Sequence, residues 1–245
     1  DRTQAVYWYQ KAADQGYHWA QYNLANCYHY GRGVAKDNGQ AAAWYRKAAE
    51  QGHADAQNML GRCYEEGWGL TKDPAQAAAW FRKAAEQGHK SAQWNLALCY
   101  DGGRGLRQAF AQAAAWLRKA AEQGHVDAQT WLGVYYDMGR GGLPLDHAQA
   151  NAWYRKAVEQ GNKFAQHNLG YNYKNGRGAA KNLAEAERLL KLAAERGYAR
   201  AQYELGMLYR QTKRGLLSLS LPKEAREWLQ KAADQGHEKA KQMLS

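Results

Sequence analysis

The sequence is short of what a sheet, a membrane span or a catalytic centre would need. Only 3 of its 245 residues are proline. β-Branched residues are scarce beside alanine, glutamine, leucine and tyrosine, a mixture that favours helix over sheet. No run approaches the roughly 18 consecutive apolar residues of a membrane-spanning helix. The start, Asp1-Arg2-Thr3-Gln4, has no basic region, apolar stretch or cleavage site and does not read as a signal peptide. His-Glu-x-x-His, Cys-x-x-Cys, Gly-x-Ser-x-Gly and phosphate-loop patterns are all missing. Glu65 and Glu66 are adjacent, so on a helix they point apart and make no acid–base pair. No catalytic residue, cofactor or metal ligand is therefore nominated.

Cysteine occurs 3 times, at Cys27, Cys63 and Cys99, each 36 residues from the next. One site in successive repeats is thus occupied three times. Stacked helices lie about 8–10 Å apart, beyond the Cα separation of about 7 Å that a disulfide spans. Small buried thiols are expected, beside Leu24, Leu60 and Leu96.

What is plentiful is repetition. Gly16, Gly52, Gly88, Gly124, Gly161, Gly197 and Gly236 close segments like Ala-Ala-Glu-Gln-Gly, at successive spacings of 36, 36, 36, 37, 36 and 39 residues. Trp8, Trp44, Trp80, Trp116, Trp153 and Trp228 each precede such a glycine by 8 residues, and Leu189 takes that place in the sixth copy. Repeats of this length point to a stacked helical array rather than to separate globular domains.

Each copy reads as two helices. In residues 53–88, Ala56, Leu60 and Tyr64 recur at steps of four and form one apolar stripe. Gly61 removes a side chain where a neighbouring helix could come close, and Gly67 and Gly69 end the helix. Asp73 is placed to cap the second helix, with Pro74 at its first position. Ala77, Trp80, Phe81, Ala84 and Ala85 make the second stripe, and Arg82 and Lys83 lie near its carboxyl end, where cations suit the helix dipole. Such a pair cannot bury both stripes alone, and stacking on the next copy does so. The chain opens in a second helix and closes in a first helix, at Ala240 and Leu244. The expectation is a single array over 1–245, about six to seven repeats of about 36 residues, truncated at both ends.

The pattern Ala-Gln-x-x-Leu-Gly-x-x-Tyr, then Gly-x-Gly, then Ala-x-x-Trp-Tyr-x-Lys-Ala-Ala-x-x-Gly resembles the Sel-one-like repeat family, a branch of the tetratricopeptide-like repeats. The resemblance covers essentially the whole chain. It implies an all-α, right-handed α-solenoid of stacked antiparallel helix pairs, and a non-catalytic protein-binding scaffold or adaptor. It also implies a protein partner, a toxin or an envelope protein being candidates, and a periplasmic or secreted setting ahead of a cytoplasmic one. The cysteine-rich branch pairs two cysteines within each repeat, and this sequence, with one in each of three copies, departs from it. Oligomeric state is not indicated.

The family resemblance implies that first helices line the concave face. Residues at steps of 3, 4 and 3 share one side of a helix. The sets are Trp19, Tyr22, Asn26 and His29; Asp55, Asn58, Arg62 and Glu65; Ser91, Trp94, Leu98 and Asp101; Asp127, Thr130, Val134 and Asp137; Phe164, His167, Tyr171 and Lys174; and Arg200, Tyr203, Met207 and Arg210. They vary from copy to copy while the stripes repeat, and they are rich in the aromatic and arginine side chains that anchor interfaces. The partner-binding candidates are therefore Trp19, Tyr22, His29, Arg62, Glu65, Trp94, Asp101, Asp127, Asp137, Phe164, His167, Tyr171, Lys174, Arg200, Tyr203 and Arg210.

A formal charge of +11 favours acidic partners, nucleic acid or anionic surfaces. Asp55, Glu65, Asp101, Asp127 and Asp137 make the middle of the face acidic, which speaks against RNA, and Lys174, Arg200 and Arg210 make its later part basic. The pairs Arg46-Lys47, Arg82-Lys83, Arg118-Lys119 and Arg155-Lys156 read as solvated helix ends, with an anion-binding stripe as the alternative. His53, His89, His125 and His237 share one repeat position and read as structural. An inhibitor of a toxic enzyme and an RNA-binding repeat stay open beside the scaffold reading. Two copies are irregular: the fourth around Gly141-Gly142-Leu143-Pro144, and the sixth with an apolar insertion from Leu216 to Leu221, read as packing on the array or as a contact loop.

Overall fold

The computed structural model describes residues 1–212 and 221–244. Among them the regular structure is entirely helical, fourteen helices with no strand. Two compact units divide the chain, Asp1–His125 and Val126–Ser245. The N-terminal unit holds α1 (Arg2–Asp14), α2 (His18–Tyr30), α3 (Asn38–Glu50), α4 (Ala54–Glu66), α5 (Pro74–Glu86), α6 (Lys90–Gly102) and α7 (Phe110–Glu122). The C-terminal unit holds α8 (Val126–Met138), α9 (His147–Glu159), α10 (Lys163–Asn175), α11 (Leu183–Glu195), α12 (Ala199–Thr212), α13 (Lys223–Asp234) and α14 (Glu238–Leu244). Within each unit every helix packs on the next one along the chain. Even-numbered helices are the first helices of the repeat and odd-numbered ones the second.

Small residues set the closeness of the packing. Gly61 on α4 faces the Phe81 ring of α5, and a β-carbon there would come within 2.6 Å of it. Gly133 meets Tyr154 in the same way, Gly170 meets Leu190 and Gly206 meets Leu229. Leu24, Leu60, Leu96, Leu132 and Leu205 are fully buried at the stripe positions of the first helices, each contributing roughly 1.5–3 kcal/mol relative to exposure. Cys63 and Cys99 are buried, Cys27 is partly so, and all three are free thiols. Burial pushes the Cys63 and Cys99 thiols up to about 11, which keeps them protonated and unreactive at neutral pH.

The helix ends follow local rules. Asp37, Asp73, Asp146 and Asn182 cap second helices, and Pro74 stands in the first turn of α5. Gly31, Gly67, Gly103 and Gly176 end first helices in the left-handed conformation. The next glycine of each Gly-x-Gly serves a different need. A β-carbon on Gly105 would lie 1.9 Å from the Pro74 carbonyl oxygen at the start of the preceding second helix. The loop can therefore touch that helix only where there is no side chain.

Three ladders recur along the array, the first between the two helices of a copy, the second from one copy to the next and the third within each second helix. The consensus glutamine ending a second helix donates to the glutamine of the preceding first helix: Gln51 to Gln21 at 2.7 Å, Gln87 to Gln57 at 2.7 Å, Gln123 to Gln93 at 2.8 Å, Gln160 to Gln129 at 2.9 Å and Gln235 to Gln202 at 2.7 Å. Arginines of second helices donate to the tyrosine hydroxyl of the following first helix: Arg46 to Tyr64, Arg82 to Tyr100 and Arg155 to Tyr173, at 2.8, 2.9 and 3.0 Å. The adjoining lysines lie over tryptophan rings, Lys47 on Trp44, Lys83 on Trp80, Lys119 on Trp116 and Lys156 on Trp153, at 3.9–4.2 Å. The lysines of these pairs are exposed at the helix ends, as the sequence reading expected. The arginines that bind tyrosine and the lysines that cover tryptophan have partners inside the array.

Irregularity gathers in the C-terminal unit. Arg196 stands where the ladder needs glutamine and donates to the Gly161 carbonyl instead. The Gln166 Oε1 atom is left buried with no hydrogen-bond partner. On α11, Leu189 and Leu192 replace the tryptophan–lysine pair, and Leu192 is 36% exposed. Most of the apolar insertion falls in 213–220, outside the described residues, and Leu221 at its end packs against the α13–α14 core.

Candidate functional site

The face positions do not share one environment. The first position is exposed in four of the six sets: Trp19 is 61% and Phe164 45% exposed, and Asp127 and Arg200 are also exposed, while Asp55 and Ser91 are half-buried. The second position turns toward the residue that starts the next first helix. Tyr22 stacks on His53, Trp94 on His125 and Tyr203 on His237, with ring centroids 4.8, 5.4 and 4.5 Å apart. His167 meets Tyr198 edge-on at 5.2 Å. Such ring pairs are worth roughly 0.5–1.5 kcal/mol each beyond their area, so these aromatics join repeats as well as presenting an edge.

Three of the four histidines that share a repeat position cap helices. His53, His89 and His237 accept the backbone N–H of Ala56, Ala92 and Ala240 on Nδ1, at 3.3, 3.1 and 3.3 Å. The proton of neutral His53 therefore resides on Nε2, which is buried without a hydrogen-bond partner among the rings of His18, Trp19 and Tyr22. Burial holds His53 below its ordinary pKa. His29, a partner-binding candidate, is only 8% exposed. It packs on Trp68 at 4.8 Å and meets Asn38 at 3.2 Å, and burial lowers its pKa too. Trp68 also lies 4.8 Å from the Arg62 guanidinium. That tryptophan, in the loop after α4, was missed because it lies outside the helical steps.

Several of the acids that made the face read as acidic have partners in the fold. His89 Nε2 lies 3.1 Å from Asp55, Arg104 donates to Glu65 at 2.7 Å, and Asn162 donates to Asp127 at 3.0 Å. Asp137 is a hub. It meets His147 at 2.8 Å, accepts the Tyr154 hydroxyl at 2.8 Å, and lies 3.3 Å from the Asn172 amide. Lys174 is paired with Glu204, and Arg210 meets the Met243 sulfur at 3.7 Å. These charges serve packing first. Asp101 has contacts of its own within the fold.

One place gathers candidates into a cavity. A cleft of about 720 Å³ in the C-terminal unit is lined by Asp137, His167, Tyr171, Arg200 and Tyr203, with Met138, Arg177, Glu204, His237 and Lys239. Its walls come from α8, α10, α12 and the start of α14, that is, from consecutive first helices. His167 is held below its ordinary pKa, chiefly by burial, with Arg200 and Lys174 adding to the shift. Arg177, Met138 and Lys239 escaped the face reading: Met138 and Arg177 come from helix ends and the loops beyond, and Lys239 from the following copy. In the N-terminal unit a smaller cleft of about 470 Å³ places Tyr22 with Arg2, Tyr9, Tyr30 and Arg32. No group of three or more histidine, cysteine or acidic side chains is arranged for a metal among the described residues. No described helix is long and apolar enough to cross a membrane.

Paired helices joined by repeated ladders, with variable first-helix positions opening into clefts, define a helical-repeat solenoid protein. The chain belongs to the Sel1 repeat family, whose repeat matches at residues 1–17, 20–53, 54–89, 90–125, 126–162, 163–198 and 199–237. It is 38% identical to a protective antigen of uropathogenic Escherichia coli strains with the same repeat fold, over 100% of this chain and 51% of that one, with a TM-score of 0.89. It thus spans about half the length of that relative. A Sel1 repeat protein from Oxalobacter formigenes is 34% identical over 100% of this chain and 69% of its own, with a TM-score of 0.79. An immunity protein from Pseudomonas aeruginosa, 20% identical over 93% of this chain and 81% of its own with a TM-score of 0.50, shares the fold alone. No curated protein matches the chain.

Proposed function

We propose that this chain is a protein-binding scaffold that holds a segment of a partner protein against its first helices and does no chemistry itself. One observation carries the reading: the cleft of about 720 Å³ is assembled largely from positions that the repeat leaves free to vary. His167, Tyr171, Arg200 and Tyr203 all line it. Packing requires the leucines, alanines and glycines of the stripes, but not an exposed Arg200 or a 45% exposed Phe164 nearby on α10. Aromatic and arginine side chains at such positions are the usual anchors of an interface.

The test is affinity capture from a lysate of the source cells, with the intact chain and with a Phe164→Ala/Tyr171→Ala variant. One stoichiometric protein retained by the first and lost by the second supports the scaffold. If that protein is an enzyme silenced on capture, the scaffold acts as an inhibitor. Retention of nucleic acid alone, released by salt, or of no protein at all, overturns the reading.

A further inference from the structure

Resting on that reading, we propose that the cleft of the C-terminal unit takes an acidic peptide segment, one carrying at least two carboxylates beside an apolar side chain. The argument begins with charge. Three cations line the cleft, Arg177, Arg200 and Lys239, and none is paired with a carboxylate among the described residues. The acids of the same walls are already neutralised or saturated. Asp137 takes His147, Tyr154 and Asn172. Glu204 is bound by Lys174, and Glu238 by Lys241 at 2.9 Å. The cavity therefore presents positive charge that the fold leaves unanswered. Guanidinium groups bind carboxylates through paired, charge-assisted hydrogen bonds.

Shape and polarity narrow the class further. Met138, 66% exposed, stands in the cleft wall and offers an adaptable apolar contact. The tyrosine rings already have faces in use: Tyr203 is stacked on His237 at 4.5 Å, and Tyr171 lies under Arg177 at 5.2 Å. Nucleic-acid grooves need open ring faces for successive bases, and a phosphate at every residue. Here Tyr203 and Tyr171 each have a ring face already occupied, and the cleft offers three separate cations rather than a continuous line of them for a phosphodiester chain. A peptide with a few spaced acids matches that small number of cations.

The experiment uses the full chain and fluorescein-labelled ten-residue peptides, read by fluorescence anisotropy. The probe alternates glutamate with leucine. One control carries glutamine in place of glutamate, and another is an oligouridylate of the same length. The glutamate peptide should bind at least about tenfold more tightly than the glutamine peptide, with an affinity that falls as salt rises. Arg200→Glu/Lys239→Glu should weaken it by about tenfold or more, while Arg226→Glu on the second-helix side should leave it unchanged. Circular dichroism establishes that each variant remains folded. Equal binding of both peptides, or of neither, overturns the charge argument, and tighter oligouridylate overturns the partner class. An unaffected double variant overturns the location. The two readings separate in the lysate: a protein captured equally by wild type and by Arg200→Glu/Lys239→Glu leaves the scaffold standing and removes this proposal.

Discussion

The two units use the same repeat to different ends. In the N-terminal unit the spacing holds at 36 residues, and the glutamine and arginine–tyrosine ladders recur there from copy to copy. In the C-terminal unit the spacing becomes 37, 36 and 39, one glutamine rung is missing, and the larger cleft opens. Three cations there have no carboxylate partner among the described residues. The difference teaches that the repeat's regular positions satisfy themselves. Capacity to hold something else comes from positions and copies that depart from the repeat.

The largest expected effect contrasts two glycines with similar backbone conformations. Gly105 has φ +67° and Gly142 φ +78°. An added β-carbon meets the Pro74 carbonyl at 1.9 Å in the first case and nothing within 4 Å in the second. Left-handed strain alone costs roughly 1–2 kcal/mol, and a backbone collision adds roughly 1–3 more. Gly105→Ala should therefore destabilise by about 3 kcal/mol or more, and Gly142→Ala by about half that, in urea denaturation. Equal losses would mean that the loop does not need its close approach.

Next come two carboxylates that sequence reading had placed on one face. Asp137→Ala strands the Tyr154 hydroxyl and the Asn172 amide and should cost roughly 2–3 kcal/mol. Glu65→Ala releases only the half-exposed Arg104 and should cost less than about 1 kcal/mol. If the two variants unfold at the same urea concentration, Asp137 is not a hub.

Acid should loosen both units through buried imidazoles. His29 and His53 in one unit and His167 in the other sit below the ordinary value of 6.5. The folded chain resists protons that the unfolded chain accepts. Their contribution is thus complete above about pH 6.5 and declines as pH falls toward the folded-state pKa. His53→Asn keeps a capping side chain, as Asn162 does at its own helix start, and should reduce the loss between about pH 7.5 and about pH 5. A profile unchanged by that substitution would remove His53 from the account.

The smallest effect repairs the irregular unit. Arg196→Gln restores the missing rung to Gln166 and should raise stability by about 1 kcal/mol. A fall in the thermal midpoint instead would show that the arginine's bond to the Gly161 carbonyl matters more.

Much of this was legible in the residues. Leucine, alanine and glycine at fixed steps placed both stripes, Asp73 and Pro74 marked a helix start, and Gly61 marked a close approach. Each is a local rule or a periodic one, so one sequence suffices to read it. The face was legible as a set of positions but not as a set of roles. Helical steps place His29 beside Arg62 in register and say nothing of Trp68, which comes from a loop. They count Asp137 as a free charge because its partners His147, Tyr154 and Asn172 lie on other helices.

By itself, then, the sequence determined the repeat, the helix pairs, their caps and the small residues that let them close, because those depend on neighbours within one turn or one copy. Tertiary structure alone decided which charges remain available. A carboxylate or guanidinium is free only if nothing from an adjoining helix reaches it, and that depends on distances between elements which no periodicity encodes.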